Sequence, residues 1–135
     1  MTTKIFLNLP VADLNKSVTF FTSLGYTFNK QFTDETSTCM IISEHIYAML
    51  LTHDKFKNFA PNAICDTTKS NEVLITLSCE NRAQVDELVA KAVAAGGRTV
   101  EDAEDLGFMY SHGYMDLDGH AWGLFYMDPS FVQPQ

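Results

Sequence analysis

Few side chains in this chain could do chemistry. They are four histidines (His45, His53, His112 and His120), three cysteines (Cys39, Cys65 and Cys79) and the turn carboxylates Asp116 and Asp118. The cysteines stand far apart with no CxxC, which argues against a disulfide framework and a thiolate zinc site. Cys39 and Cys79 lie in apolar runs and read as core packing. His45 and His120 each flank a turn and read as solvent-exposed or capping groups. His53 with Asp54 looks like a metal pair, yet neighbours on a strand point to opposite faces and do not readily chelate one ion. Asp116 and Asp118, in "DLDGH", read as acceptors for hydrogen bonds within a turn. No Ser/His/Asp arrangement, phosphate-cradling glycine loop or pair of catalytic carboxylates is visible. His112 remains as a candidate acid or base. Beside it stand four uncharged polar groups, Asn8, Thr52, Thr76 and Ser111, which either orient a ligand in an apolar pocket or pair with one another and the backbone.

The elements that must carry these residues follow a repeated pattern. "KIFLNLPV" reads as a strand, and "DLNKSVTFFTSLGY" as a helix with Leu14, Val18, Phe21 and Leu24 on one face, Asp13 as its cap and Gly25 as its stop. Three extended runs follow, "YTFNKQF", "STCMIIS" and "IYAMLLT". From residue 71 the pattern restarts: "NEVLITLSC" as strand, then a helix capped by Asn81, with Val85, Leu88, Val89 and Ala92 on one face and Gly96 and Gly97 at its end. The weak strand "RTVEDAE" and the strong ones "GFMYSHGYMD" and "HAWGLFYM" complete it. The expectation is therefore an α+β fold, a single domain over 1–135 made of two βαβββ units in tandem, 1–53 and 71–128. A connector spans 54–70 with one short helical turn, and a tail spans 129–135. Two such units form a cupped, curved mixed sheet around a cavity, with helices on the convex side.

The "DLDGH" turn decides which side chains face that cavity. A three-residue loop with Gly119 in the left-handed conformation pairs Asp116 with His120 and sets Gly113 opposite Gly123. Met109, Ser111, Gly113 and Met115 then share the cavity side with Ala121, Gly123 and Phe125. A two-residue loop shifts the register by one and brings His112 opposite Gly123 instead. The bulged register is preferred, because glycine tolerates a positive φ.

Charge and composition narrow the partners. The net charge is -8, from 17 acidic against 9 basic residues, and no basic cluster stands out, so nucleic acid and anionic membranes are poor partners. No run of about 18 apolar residues is present to span a bilayer, and no secretory leader is legible. A cytoplasmic location is the default expectation.

The stretches "NLPVADLNKSVTFFTSLGY" and "DLDGHAWGLFYMDP", one in each half, resemble the glyoxalase/bleomycin resistance/extradiol dioxygenase superfamily, also called vicinal oxygen chelate proteins. The resemblance covers Lys4 to Pro129. It implies the paired βαβββ fold, frequent homodimers, and, in the enzymes, one divalent metal held by His, Gln or Glu from four strands. The four ligand positions fall here on Phe6, Leu50 (Ala48 if the register shifts by two), Leu74 and Gly123, none with a donor atom in its side chain. Members otherwise similar often keep a Glu where this chain has Gly123. The expectation is a superfamily protein without the usual metal site and with no cofactor. It binds a small organic molecule through Phe6, Asn8, Leu50, Thr52, Leu74, Thr76, Ser111, Gly113, Gly123 and Phe125. The alternatives are an enzyme of the superfamily working through an unrecognised site such as His112, and an interaction protein using only its dimer surface.

Overall fold

Asp13 and Asn81, the two expected helix caps, start equivalent helices in a computed structural model that describes residues 2–131. Asp13 accepts from the Lys16 N–H at 3.0 Å. Asn81 accepts from the Gln84 N–H at 2.7 Å, while the Gln84 side chain reaches back to the Glu80 N–H at 2.7 Å. Each exchange satisfies donors that a helix start leaves unpaired. Replacing Asn81 with alanine is expected to cost about 1 kcal/mol, read as a lower urea midpoint, with Asn81→Asp close to neutral.

The chain divides into two compact units between Asp66 and Thr67, inside the expected connector. In the first, β1 (Ile5–Val11), α1 (Leu14–Ser23), β2 (Thr27–Asn29), β3 (Ser37–Ile41) and β4 (Ile46–Thr52) form a sheet of order β1-β4-β3-β2, with β1 parallel to β4. The second strand is shorter than "YTFNKQF" suggests, because the Asn29 side chain accepts from the Gln31 N–H and turns residues 30 to 32 into a single 3-10 turn. The buried stripe of α1 runs through Ser17, Phe20, Phe21 and Leu24, displaced slightly from the expected face. A short helix, α2 (His53–Lys57), follows directly on β4. His53 thus opens a helix instead of ending a strand, and the Thr52 hydroxyl caps it.

The second unit repeats the plan with β5 (Leu74–Ser78), α3 (Arg82–Ala94), β6 (Glu104–Asp105), β7 (Met109–Met115) and β8 (Ala121–Met127), in the order β5-β8-β7-β6. The weak strand "RTVEDAE" survives only as the two residues of β6 and an isolated pairing of Arg98 with Met115. Two four-stranded mixed sheets of tandem βαβββ units result, an α+β fold. In each sheet one face carries most of the buried residues. In the second unit Val85, Val89 and Ala92 of α3 are buried, as are Tyr114, Trp122 and Leu124 of the strands. At roughly 1.5–3 kcal/mol per large apolar side chain, that face supplies much of the unit's stability. Cys39 is buried, and burial pushes its thiol above the ordinary range. Of the expected tail, residues 132–135 lie outside the described residues.

Candidate functional site

The β7–β8 hairpin sets the geometry of the second unit. Gly119 takes a φ of +81°, Asp116 N–H donates to the His120 carbonyl at 3.1 Å, and Gly119 N–H donates to the Asp116 carbonyl at 3.1 Å. This is the bulged three-residue loop, and it pairs Gly113 with Gly123 and His112 with Leu124. Alternate residues therefore separate cleanly. Tyr110 turns toward α3, its hydroxyl 2.5 Å from Asp86, and Tyr114 and Trp122 stack in the buried layer.

The opposite face is open and lines a cavity of about 720 Å³. Six of the expected site residues meet there: Leu74 and Thr76 from β5, Ser111 and Gly113 from β7, Gly123 and Phe125 from β8. Met109, Met115 and Met127 add thioether walls, while Glu101, Asp102 and Glu104 stand at the rim. The segment 100–104, within the expected weak strand "RTVEDAE", carries no site expectation from the sequence, and the pairing of Glu104 with Ser111 of β7 sets its end beside the cavity. His112 also reaches the wall, but its Nε2 lies 2.9 Å from the Glu101 carbonyl oxygen.

The first-unit candidates part company. Phe6 pairs with Tyr47, and their rings stack at 4.8 Å, so Phe6 and Asn8 share a face with Tyr47 and Met49. Leu50 pairs with Leu9 and Thr52 with Val11, which puts both on the other face. Leu50 is wholly buried there with Ala48, and the Thr52 hydroxyl is committed to capping α2. The expectation that Leu50 and Thr52 share a ligand-facing side with Phe6 is corrected accordingly. The residue that stands beside Asn8 as Gly123 stands beside Thr76 is Met49, one position from the expected one.

His120 is likewise not an exposed turn residue. It is 2% exposed, with Nδ1 2.6 Å from Glu72 Oε1. Beside it Asp116 binds two backbone N–H groups through Oδ1, from Asp118 at 2.9 Å and His120 at 3.0 Å, and the Trp122 indole N–H through Oδ2 at 2.9 Å. Burial pushes the Asp116 carboxyl above its ordinary value, and His120 and the three donors oppose that rise. These groups lie behind the sheet and serve the hairpin. The signal that could have found them is the apolar "HAWGLF" run, in which His120 shares the side of Trp122 and Leu124.

The family metal does not fit this donor set. Phe6, Leu74 and Gly123 carry no ligating atom, and the corrected fourth position, Met49, offers only a soft thioether. Among the described residues no group of three or more His, Cys, Asp or Glu could hold a metal ion. No helix among them is long and apolar enough to cross a membrane.

Tandem βαβββ units with an open, cavity-forming sheet face define a class of protein that comparison can test. The family described as "Bleomycin resistance protein-like N-terminal" matches residues 3–43. A hypothetical protein from S. aureus is 30% identical, with 93% of this chain and 95% of that one covered and a TM-score of 0.78. A glyoxalase/bleomycin resistance protein/dioxygenase family enzyme from Burkholderia phytofirmans is 13% identical, covering 93% and 99% of the two chains, with a TM-score of 0.76. A glyoxalase-related enzyme from Fulvimarina pelagi is 16% identical over 93% of this chain and 88% of its own, with a TM-score of 0.77. None of the curated proteins matches. Residues 3–43 thus match the bleomycin resistance protein-like family, and the whole chain has the fold of solved structures described as glyoxalase/bleomycin resistance proteins/dioxygenases.

Proposed function

We propose that this protein binds a small, mostly apolar organic molecule in the cavity of its second unit, without the divalent metal that the resemblance implies for the family's enzymes. The observation that carries this reading is the open face itself: about 720 Å³ above a floor where two glycines meet, walled by Leu74, Phe125 and methionines. Pockets of this size with a few hydroxyls among apolar walls suit small organic ligands. The net charge of -8 favours such a ligand over nucleic acid or an anionic membrane. A cytoplasmic homodimer is the setting that the resemblance and the sequence favour. An enzyme using His112 as acid or base has no support of this kind, since the Nε2 is engaged by Glu101 and the ring stands beside Leu124 instead of Gly123.

The test combines two measurements on protein purified without chelator. Metal analysis is expected to find well under one equivalent of Zn, Ni, Fe or Mn, and one equivalent held by side chains overturns the metal-free reading. Titration of neutral organic fragments into ¹⁵N-labelled protein is expected to shift the amides of Gly113, Gly123 and Phe125. Absence of any saturable shift there, across a panel of differing shapes, overturns the binding reading.

A further inference from the structure

The floor of the cavity has a shape that narrows the ligand. On the open face, one row across the strands runs Thr76, Gly123, Gly113. The row on one side runs Leu74, Ala121, Met115, and the row on the other runs Ser78, Phe125, Ser111, Glu104. Side chains on one face of a strand repeat every ~6.7 Å, so the flanking rows stand about 13 Å apart with bare backbone between them. Two strand spacings, roughly 10 Å, separate Thr76 from Gly113 along the trough.

The trough is shallow by construction, and one of its glycines is tied to it. A Cβ on Gly113 would lie 2.7 Å from the Trp122 carbonyl oxygen, so the close approach of β7 and β8 requires glycine there. A Cβ on Gly123 would meet the Thr76 side chain and no backbone, with the hydroxyl oxygen nearest at 3.1 Å. Thr76 Oγ1 therefore leans over Gly123, and it makes no side-chain hydrogen bond to the described residues. A slot with a peptide floor, one apolar side, a second side where Phe125 stands among Ser78, Ser111 and Glu104, and the Thr76 hydroxyl at one end suits a thin molecule with polar groups only at its edge.

Resting on the binding reading above, we infer that the trough takes a flat ring system laid face-down on the Gly113–Gly123 backbone, with a polar substituent at its edge hydrogen-bonded to Thr76. Flatness is the discriminating property. A puckered ring of the same carbon skeleton meets the peptide floor only through its axial hydrogens, losing van der Waals contact with the rest of it.

The probes are 2-naphthalenemethanol and its fully hydrogenated counterpart, decahydro-2-naphthalenemethanol, titrated into the full ¹⁵N-labelled chain. The flat probe is expected to shift the Gly113 and Gly123 amides saturably and to bind at least about tenfold more tightly than the puckered one. Gly123→Ala, with an unchanged melting temperature, is expected to weaken the flat probe about tenfold and to leave the puckered one nearly unaffected. Thr76→Val is expected to weaken the flat probe about threefold to tenfold. Equal affinities for the two probes within the cavity overturn the inference and leave the binding reading standing. So does a flat probe that shifts Phe125 but neither glycine. Binding of neither probe, nor of other neutral fragments, overturns both.

Discussion

Asp116→Ala is expected to destabilise the protein by about 3–5 kcal/mol, the largest loss of any single polar substitution considered. The carboxylate is 7% exposed and accepts from the N–H groups of Asp118 and His120 and from the Trp122 indole. Alanine leaves these donors without their acceptor in a site that water scarcely reaches. Asn is expected to lose less, because its carbonyl keeps the two backbone donors while its amide faces the indole N–H. The pH dependence has a definite sign. Burial raises the Asp116 carboxyl above 3.8 in the folded state, so the folded protein binds that proton more tightly than the unfolded chain. The associated stability is fully present below pH 3.8 and is lost as pH rises through the raised value. Urea midpoints of the natural chain and of Asp116→Asn, measured from pH 3 upward, are expected to converge across that window. A gap that widens with pH shows that the carboxyl is not raised.

Gly113→Ala is expected to cost about 2–3 kcal/mol, while Gly123→Ala changes stability by less than about 1 kcal/mol. The two residues face one another, and the same added methyl group meets different neighbours. At Gly113 it collides with a backbone carbonyl at 2.7 Å, which can yield only if β7 and β8 move apart. At Gly123 it meets the end of the Thr76 side chain at 3.1 Å, which can rotate away. Loss of glycine's unfolded-state freedom also offsets part of the strain at both positions. Urea denaturation of the two variants side by side provides the check. Equal losses would show that the floor is rigid throughout.

The hairpin that creates this floor was legible because its signals are local. "DLDGH" needs a residue at positive φ, Gly119 supplies it, and the loop then fixes every pair up to Met109 with Met127. The parallel pairings carry no such instruction. β1 and β4 are joined through a helix and two other strands, so nothing nearby pins their register, and a one-residue error exchanged the faces of Leu50 and Met49. The burial of His120 is illegible in the sequence for a related reason. A histidine after a turn looks exposed until its partner, Glu72, arrives from 48 residues earlier in the chain. The caps Asp13 and Asn81 were legible, being matters of three residues each. The shortening of the second strand by Asn29, equally local, was masked by the aromatic alternation of "YTFNKQF".

Glu72 and Thr67 give the second sheet a polarity. Glu72 holds His120, and the Thr67 hydroxyl donates to the Asp118 carbonyl, so the chain entering β5 is fastened to the turn that enters β8. Because β5 and β8 are parallel, both fasteners lie at the same end of the pair. The opposite end, at Ser78 and Phe125, has only the ladder and the Cys79 N–H to the Phe125 carbonyl at 2.7 Å. The pair behaves as a zipper clasped at its start. Fraying of the edge strand β5 is therefore expected to start at Ser78 and to reach Leu74 last, while Phe125 stays held by its pairing with Ser111 of β7.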